Sequence, residues 1–125
     1  MNKNKKILLV DDEPDITLAF KIGLEDHGFV VDVFNDPLLA LSSFKQGLYA
    51  LVLLDIKLPK LDGIELYREI RKIDDKVKIC FMTAFDIQIE ILKEALSTLG
   101  SENPIVIGKP ITIDNLIARV KAELL

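Results

Sequence analysis

Short apolar runs rich in branched residues recur along the chain: KILLV at 6–10, VVDVF at 30–34, ALVLL at 50–54, VKICFM at 77–82 and PIVIG at 104–108. Between them the apolar positions switch to helical spacing. A first helix is predicted after Pro14, running towards Gly28. A second has Asp36 as its N-cap and Pro37 in the first helical position. A third follows Gly63, with Ile64, Tyr67, Ile70 and Arg71 at helical spacing. A fourth spans Ile87 to Leu99 and stops at Gly100, and a fifth begins at Thr112 and carries Ile113, Leu116, Ile117, Val120 and Leu124 as one stripe. Five strands alternating with five helices imply right-handed crossovers and a parallel sheet covered on both faces. The expected class is therefore α/β, doubly wound, with an open five-stranded parallel sheet. Four of the runs are nearly pure hydrocarbon, as strands buried on both faces must be. VVDVF alternates more and is expected at a sheet edge.

Composition leaves that picture intact and narrows the function. The 125 residues make one domain, and half of them are hydrophobic, enough for a full core at this size. Sixteen Lys and Arg against 20 Asp and Glu leave a net charge of −4, which argues against a nucleic-acid-binding domain with its usual basic excess. The one basic cluster, Lys3, Lys5 and Lys6, reads as a solvated chain end. A single cysteine, Cys80, rules out an internal disulfide and a cysteine-rich metal site, and its apolar setting reads as a buried, inert thiol. No apolar run approaches the ~18 residues of a membrane span and no signal peptide is visible, so a cytoplasmic location with no membrane partner is expected.

The candidate chemistry lies just past the strands. The first run is followed by Asp11 and Asp12, the third by Asp55, the fourth by Thr83, and the fifth ends in Gly108 and Lys109. In an open parallel sheet the carboxyl ends of all strands lie at one edge, where ligands bind. Taken singly, each residue is more often a cap, a turn residue or a solvated side chain; at four strand ends of one edge they converge. Two like charges at ~4 Å cost roughly 4 kcal/mol at an effective dielectric of 20. A carboxylate trio is therefore stable only with a hard cation or with bound protons. Carboxylates with room for water suit Mg²⁺. A cation, an ammonium and a hydroxyl around one carboxylate are what a phosphoryl group needs around its oxygens, and a carboxylate is itself able to accept phosphoryl. Asn35 and Asp36 end the second run, where Asp36 already has a local role as a helix cap.

These motifs, in this order, resemble the receiver domain of two-component response regulators across essentially the whole chain. ILLVDDEPD resembles the family's acidic opening, LVLLDIKLPKLDGIEL its phosphoacceptor strand and loop, FMTA its switch threonine, and GKP its lysine with the following proline. The resemblance implies a flavodoxin-like (βα)5 fold over residues 1–125, with no output domain in this chain. It implies that Asp55 is the phosphoacceptor. Asp12, Asp55 and the backbone carbonyl of Lys57 would hold Mg²⁺ (or Mn²⁺), with Asp11 acting mostly through bound water. Thr83, Lys109 and the backbone N–H of Ala84 would contact phosphoryl oxygens, and Pro59 and Gly63 would shape the loop over the site. The implied partners are a sensor histidine kinase or a phosphotransfer protein, and a downstream protein reached through the face from the fourth to the fifth helix. A monomer or a phosphorylation-dependent homodimer is expected, with no enzymatic turnover beyond the domain's own aspartyl phosphorylation and dephosphorylation.

Three departures from the family pattern stand out. Val106 takes the place of the usual aromatic residue three positions before the lysine. The stretch from Thr83 to Lys109 is a few residues longer than usual, with the turn GSENP. Lys57 and Phe85 occupy positions that influence attack of water on the acyl phosphate. A Mg²⁺-dependent phosphohydrolase with an Asp nucleophile is the enzymatic alternative, but it commonly needs a second Asp where this chain has Lys57. An unphosphorylated adaptor of the same fold is the other alternative, and the complete acid, Thr and Lys set argues against it. His27 reads as a cation at a helix end, and Tyr49 and Tyr67 as half-buried packing groups. The apolar positions of the fourth helix cover roughly 200° of its circumference, beyond the minimum core stripe.

Overall fold

The computed structural model describes residues 5–58, 60–84, 87–98 and 105–124. Strands and helices alternate: β1 Lys6–Val10, α1 Pro14–Glu25, β2 Val30–Phe34, α2 Pro37–Ser43, β3 Leu51–Asp55, α3 Gly63–Ile73, β4 Lys78–Ala84, α4 Ile87–Thr98, β5 Ile105–Lys109 and α5 Ile113–Leu124. All neighbouring strands are parallel, in the order β2-β1-β3-β4-β5. VVDVF is an edge strand, as its alternation predicts; β5 forms the other edge.

The helix starts follow local chemistry. Pro14 stands in the first turn of α1, where its missing N–H costs no helical bond. The Asp36 carboxylate accepts from Leu38 N at 2.9 Å and caps α2, and Asp62 caps α3 by accepting from Glu65 N at 2.9 Å. The Thr112 hydroxyl accepts from Asn115 N at 3.1 Å at the start of α5. His27 Nδ1 lies 3.0 Å from the Gly23 carbonyl oxygen, so the ring sits at the C-terminal end of α1.

Period-two alternation divides the sheet into two cores. Leu8, Val10, Val52, Leu54, Ile79 and Phe81 face α2, α3 and α4, where Ala40, Leu66, Tyr67, Ile70, Leu92 and Leu96 are buried. Ile7, Leu9, Leu51, Leu53, Cys80 and Met82 face α1 and α5, with Phe20, Leu24, Leu116, Ile117 and Val120. Burial pushes the Cys80 thiol up to about 12, so it stays protonated and inert.

Several single residues differ from the sequence reading. Leu66 joins the buried face of α3 between the expected positions. Tyr49 and Tyr67 are buried rather than half-buried. The Tyr49 hydroxyl donates to Asp32 Oδ2 at 2.7 Å, and Lys6 Nζ lies 3.3 Å from the same oxygen. Lys6 thus belongs to β1 and is not part of a loose end; Lys3 lies outside the described residues. In α4, Leu92 and Leu96 are buried and Ala95 is half-buried, while the rest of the expected wide arc lies outside the described side chains.

Asp74, at the C-terminus of α3, is a buried anchor that the sequence reading overlooked. Its carboxylate accepts from the backbone N–H groups of Gly47 (3.0 Å), Lys76 (2.9 Å) and Val77 (3.1 Å). The Gly47 bond leads, burial opposes it, and the net effect holds the carboxyl below its ordinary value. A depressed folded value means that this stabilisation is present above the unfolded carboxyl's range and is lost as pH falls through the folded value. Asp74→Ala is expected to lower unfolding free energy by about 2–3 kcal/mol at neutral pH. The gap from wild type should close in acid, as urea titrations at the two pH values will show.

Candidate functional site

The parallel register brings the strand ends together. Asp11 directly follows β1, and its N–H still donates to Phe34 O of β2 at 3.2 Å. Asp55 is the last residue of β3 and stands opposite Met82, one residue before Thr83. Thr83 stands opposite Gly108, and Ala84 opposite Lys109. All of the sequence-predicted positions therefore share one edge of the sheet.

Within this edge the charges are unequally placed. Asp11 is fully buried and both of its oxygens are engaged: Oδ1 accepts from Glu13 N at 3.1 Å, and Oδ2 from Lys109 Nζ at 2.8 Å. Lys109 Nζ also donates to Asp55 Oδ2 at 3.1 Å, and Asp55 Oδ1 accepts from Lys57 N at 3.3 Å. Asp12 is exposed, Asp55 is 7% exposed, and Thr83 is fully buried. Burial pushes the Asp55 carboxyl above its ordinary value; Lys109 opposes the shift and the Asp11 charge adds to it. Burial alone would lower Lys109, but its hydrogen bonds and charge contacts with Asp11 and Asp55 prevail and raise it. The ammonium is thus firmly protonated between two carboxylates.

Asp11, Asp12 and Asp55 each offer a carboxylate oxygen, and these oxygens lie within 4.8 Å of one another. The donors are hard oxygens and Asp12 opens to water, so the trio fits a small divalent cation that keeps part of its water shell. Asp11, already spent on Glu13 N and Lys109, is the least available of the three for direct ligation.

A profile of the response regulator receiver domain family matches residues 7–121. This chain belongs to that family. The transcriptional regulatory protein CpxR homolog of Haemophilus influenzae is 40% identical over 119 residues, covering 95% of this chain and 50% of that protein. The alkaline phosphatase synthesis transcriptional regulatory protein PhoP of Bacillus subtilis is 36% identical over 121 residues, covering 97% and 49%. The chain spans about half the length of the curated relatives it matches. Among solved structures, a CheY-like response regulator receiver domain protein from Methanospirillum hungatei superposes with a TM-score of 0.81 at 27% identity, covering 96% of this chain and 93% of that one. The two relatives are named as transcriptional regulatory proteins and the structural neighbour as a response regulator receiver domain; this chain is the receiver domain of a two-component response regulator.

In this receiver domain the loop after β3 is held from two sides. Gly63 N donates to Ile56 O at 2.8 Å, and Lys60, at φ +66°, reaches Asp36 Oδ2 at 2.9 Å. Asp36 therefore does more than cap α2: the Lys60 hydrogen bond, then the Leu38 N–H, hold its carboxyl below the ordinary value. Pro59, expected to turn this loop, lies outside the described residues, as do Phe85 and the GSENP turn. Val106 packs against the α2–α4 core and stands opposite Phe81, whose ring lies 5.4 Å from that of Tyr67. An aromatic pair thus occupies the core beside the position where the family usually carries its own ring.

Proposed function

We propose that this receiver domain takes a phosphoryl group onto Asp55 from a histidine kinase or a phosphotransfer protein, and that a downstream protein reads the resulting change through the α4–α5 face. The observation that carries this reading is a nucleophilic carboxylate at a strand end, 3.1 Å from an ammonium and beside two further carboxylates. Asp12, Asp55 and the Lys57 carbonyl would hold Mg²⁺ or Mn²⁺, with Asp11 acting through water; when bound, the cation neutralises charge on the phosphoryl oxygens. As the Asp55 oxygen bonds to phosphorus, the phosphorus–nitrogen bond of the donor's histidine breaks. Lys109, already fixed by Asp11, stays beside the new anion, while Thr83 and the Ala84 N–H meet its oxygens. The domain works in the cytoplasm, as a monomer or a phosphorylation-dependent homodimer, without touching nucleic acid or membrane itself. No helix among the described residues is long and apolar enough to cross a membrane.

Incubation with acetyl phosphate, read by intact mass, tests the reading. One phosphoryl adduct is expected with Mg²⁺, none with a chelator, and hydroxylamine should remove it as it does an acyl phosphate. An adduct that forms equally well under chelation or resists hydroxylamine overturns it.

A further inference from the structure

The Asn35 side chain forms a link that the family resemblance does not supply. Its Nδ2 donates to the backbone oxygen of Asp11 at 2.7 Å and to Thr17 Oγ1 at 3.2 Å. A carbonyl only accepts, so the amide nitrogen must face it. The Thr17 hydroxyl in turn donates to Pro14 O at 3.0 Å, and Thr17 is 1% exposed. Asn35 itself is exposed, and no apolar packing requires it.

The Asp11 carbonyl belongs to the rigid peptide that leads into Asp12. Asp11 is already fixed by Phe34 O through its N–H and by Glu13 N and Lys109 through its side chain. The carbonyl is the remaining handle, and it sets where the Asp12 side chain leaves the loop. We propose that Asn35, braced by Thr17, is a positioning residue that orients the Asp11–Asp12 peptide for cation binding. This rests on the reading of Asp12 and Asp55 as direct ligands.

Magnesium titration by calorimetry, with melting of the cation-free protein in parallel, tests it. Asn35→Ala is expected to weaken Mg²⁺ binding about 5- to 10-fold. Its cation-free melting temperature should stay within about 2 °C of wild type. Thr17→Val should weaken binding in the same direction, and Thr17→Ser, which keeps the hydroxyl, should restore it to within about twofold. At saturating Mg²⁺, phosphorylation of Asn35→Ala by acetyl phosphate should run within about twofold of wild type, since the defect lies in the cation's seat. Equal Mg²⁺ affinity in wild type and Asn35→Ala rejects the positioning role and leaves the site reading standing. A Thr17→Ser variant as weak as Thr17→Val also rejects it. A wild-type protein that binds no Mg²⁺ removes the site reading and this inference together.

Discussion

Asp55→Asn is expected to abolish the phosphoryl adduct and, without cation, to make the domain more stable at neutral pH. An amide oxygen is a poor nucleophile and carries no charge to pass to phosphorus. The neighbouring acids are poor substitutes: Asp11 is buried with both oxygens engaged, and Asp12 lacks the Lys109 contact that Asp55 has. The stability change follows from the raised carboxyl of Asp55, caused first by burial and increased by Asp11, with Lys109 opposing. An acid whose folded value is raised keeps its proton longer in the folded state. Its ionised form therefore subtracts stability above the folded value, and the deficit fades as pH falls towards the unfolded value. Asparagine has nearly the same shape and removes the charge, while Lys109 keeps Asp11 as its partner. Urea unfolding should place the variant above wild type at pH 7 and level with it in acid. An adduct that persists in Asp55→Asn moves the acceptor elsewhere. A variant weaker than wild type at neutral pH means that the Lys109–Asp55 pair outweighs the burial.

The strand ends were legible because a parallel sheet leaves little freedom. Once five apolar runs alternate with helices, the residue after each run must reach the same edge, and Asp11, Asp55, Thr83 and Lys109 follow without side-chain detail. The edge position of β2 was legible from Asp32 within VVDVF, which sits among half-buried positions. The edge position of β5 was not, because IVI packs into both cores and reads as hydrocarbon wherever the strand lies. Links made by a single polar side chain were invisible for a different reason. Asp74 collects the N–H of Gly47, 27 residues away, beside its local bonds to Lys76 and Val77, and no spacing rule connects that remote partner. Asp36 reads as a local cap and Asn35 carries no role in the sequence, yet they reach Asp11, Thr17 and Lys60 across the edge. Local chemistry explains why such residues are tolerated at a strand end; only the fold shows what they hold.

Gly63→Ala is expected to be the most damaging small substitution near the site. Gly63 opens α3, and its N–H donates to Ile56 O at 2.8 Å, which draws the helix start against the end of β3. A β-carbon there would lie 2.2 Å from Asp55 O, 2.8 Å from Ile56 Cα and 3.0 Å from the Asp55 carbonyl carbon. All three atoms are backbone, so no rotamer relieves the contact. Either α3 lifts from the sheet or the Asp55–Ile56 peptide moves, and the second displaces the phosphoacceptor. Gly23 in α1 makes a useful contrast: its added β-carbon would lie 2.5 Å from Ile113 Cγ2, a side-chain methyl on a residue 38% exposed. The stiff, β-branched Ile113 does not swing clear by itself, but it opens α5 and is 38% exposed, so a small shift of that first turn takes up the contact, and alanine is the better helix former by up to about 1 kcal/mol. Gly63→Ala is therefore expected to lose about 2–4 kcal/mol. Gly23→Ala should stay within about 1 kcal/mol of wild type. Urea midpoints of the two variants check both figures, and the adduct yield of whatever Gly63→Ala remains folded checks the displacement of Asp55. A Gly63→Ala midpoint equal to wild type would show that the strand end yields freely, and that the close approach of α3 does not set the position of the phosphoacceptor.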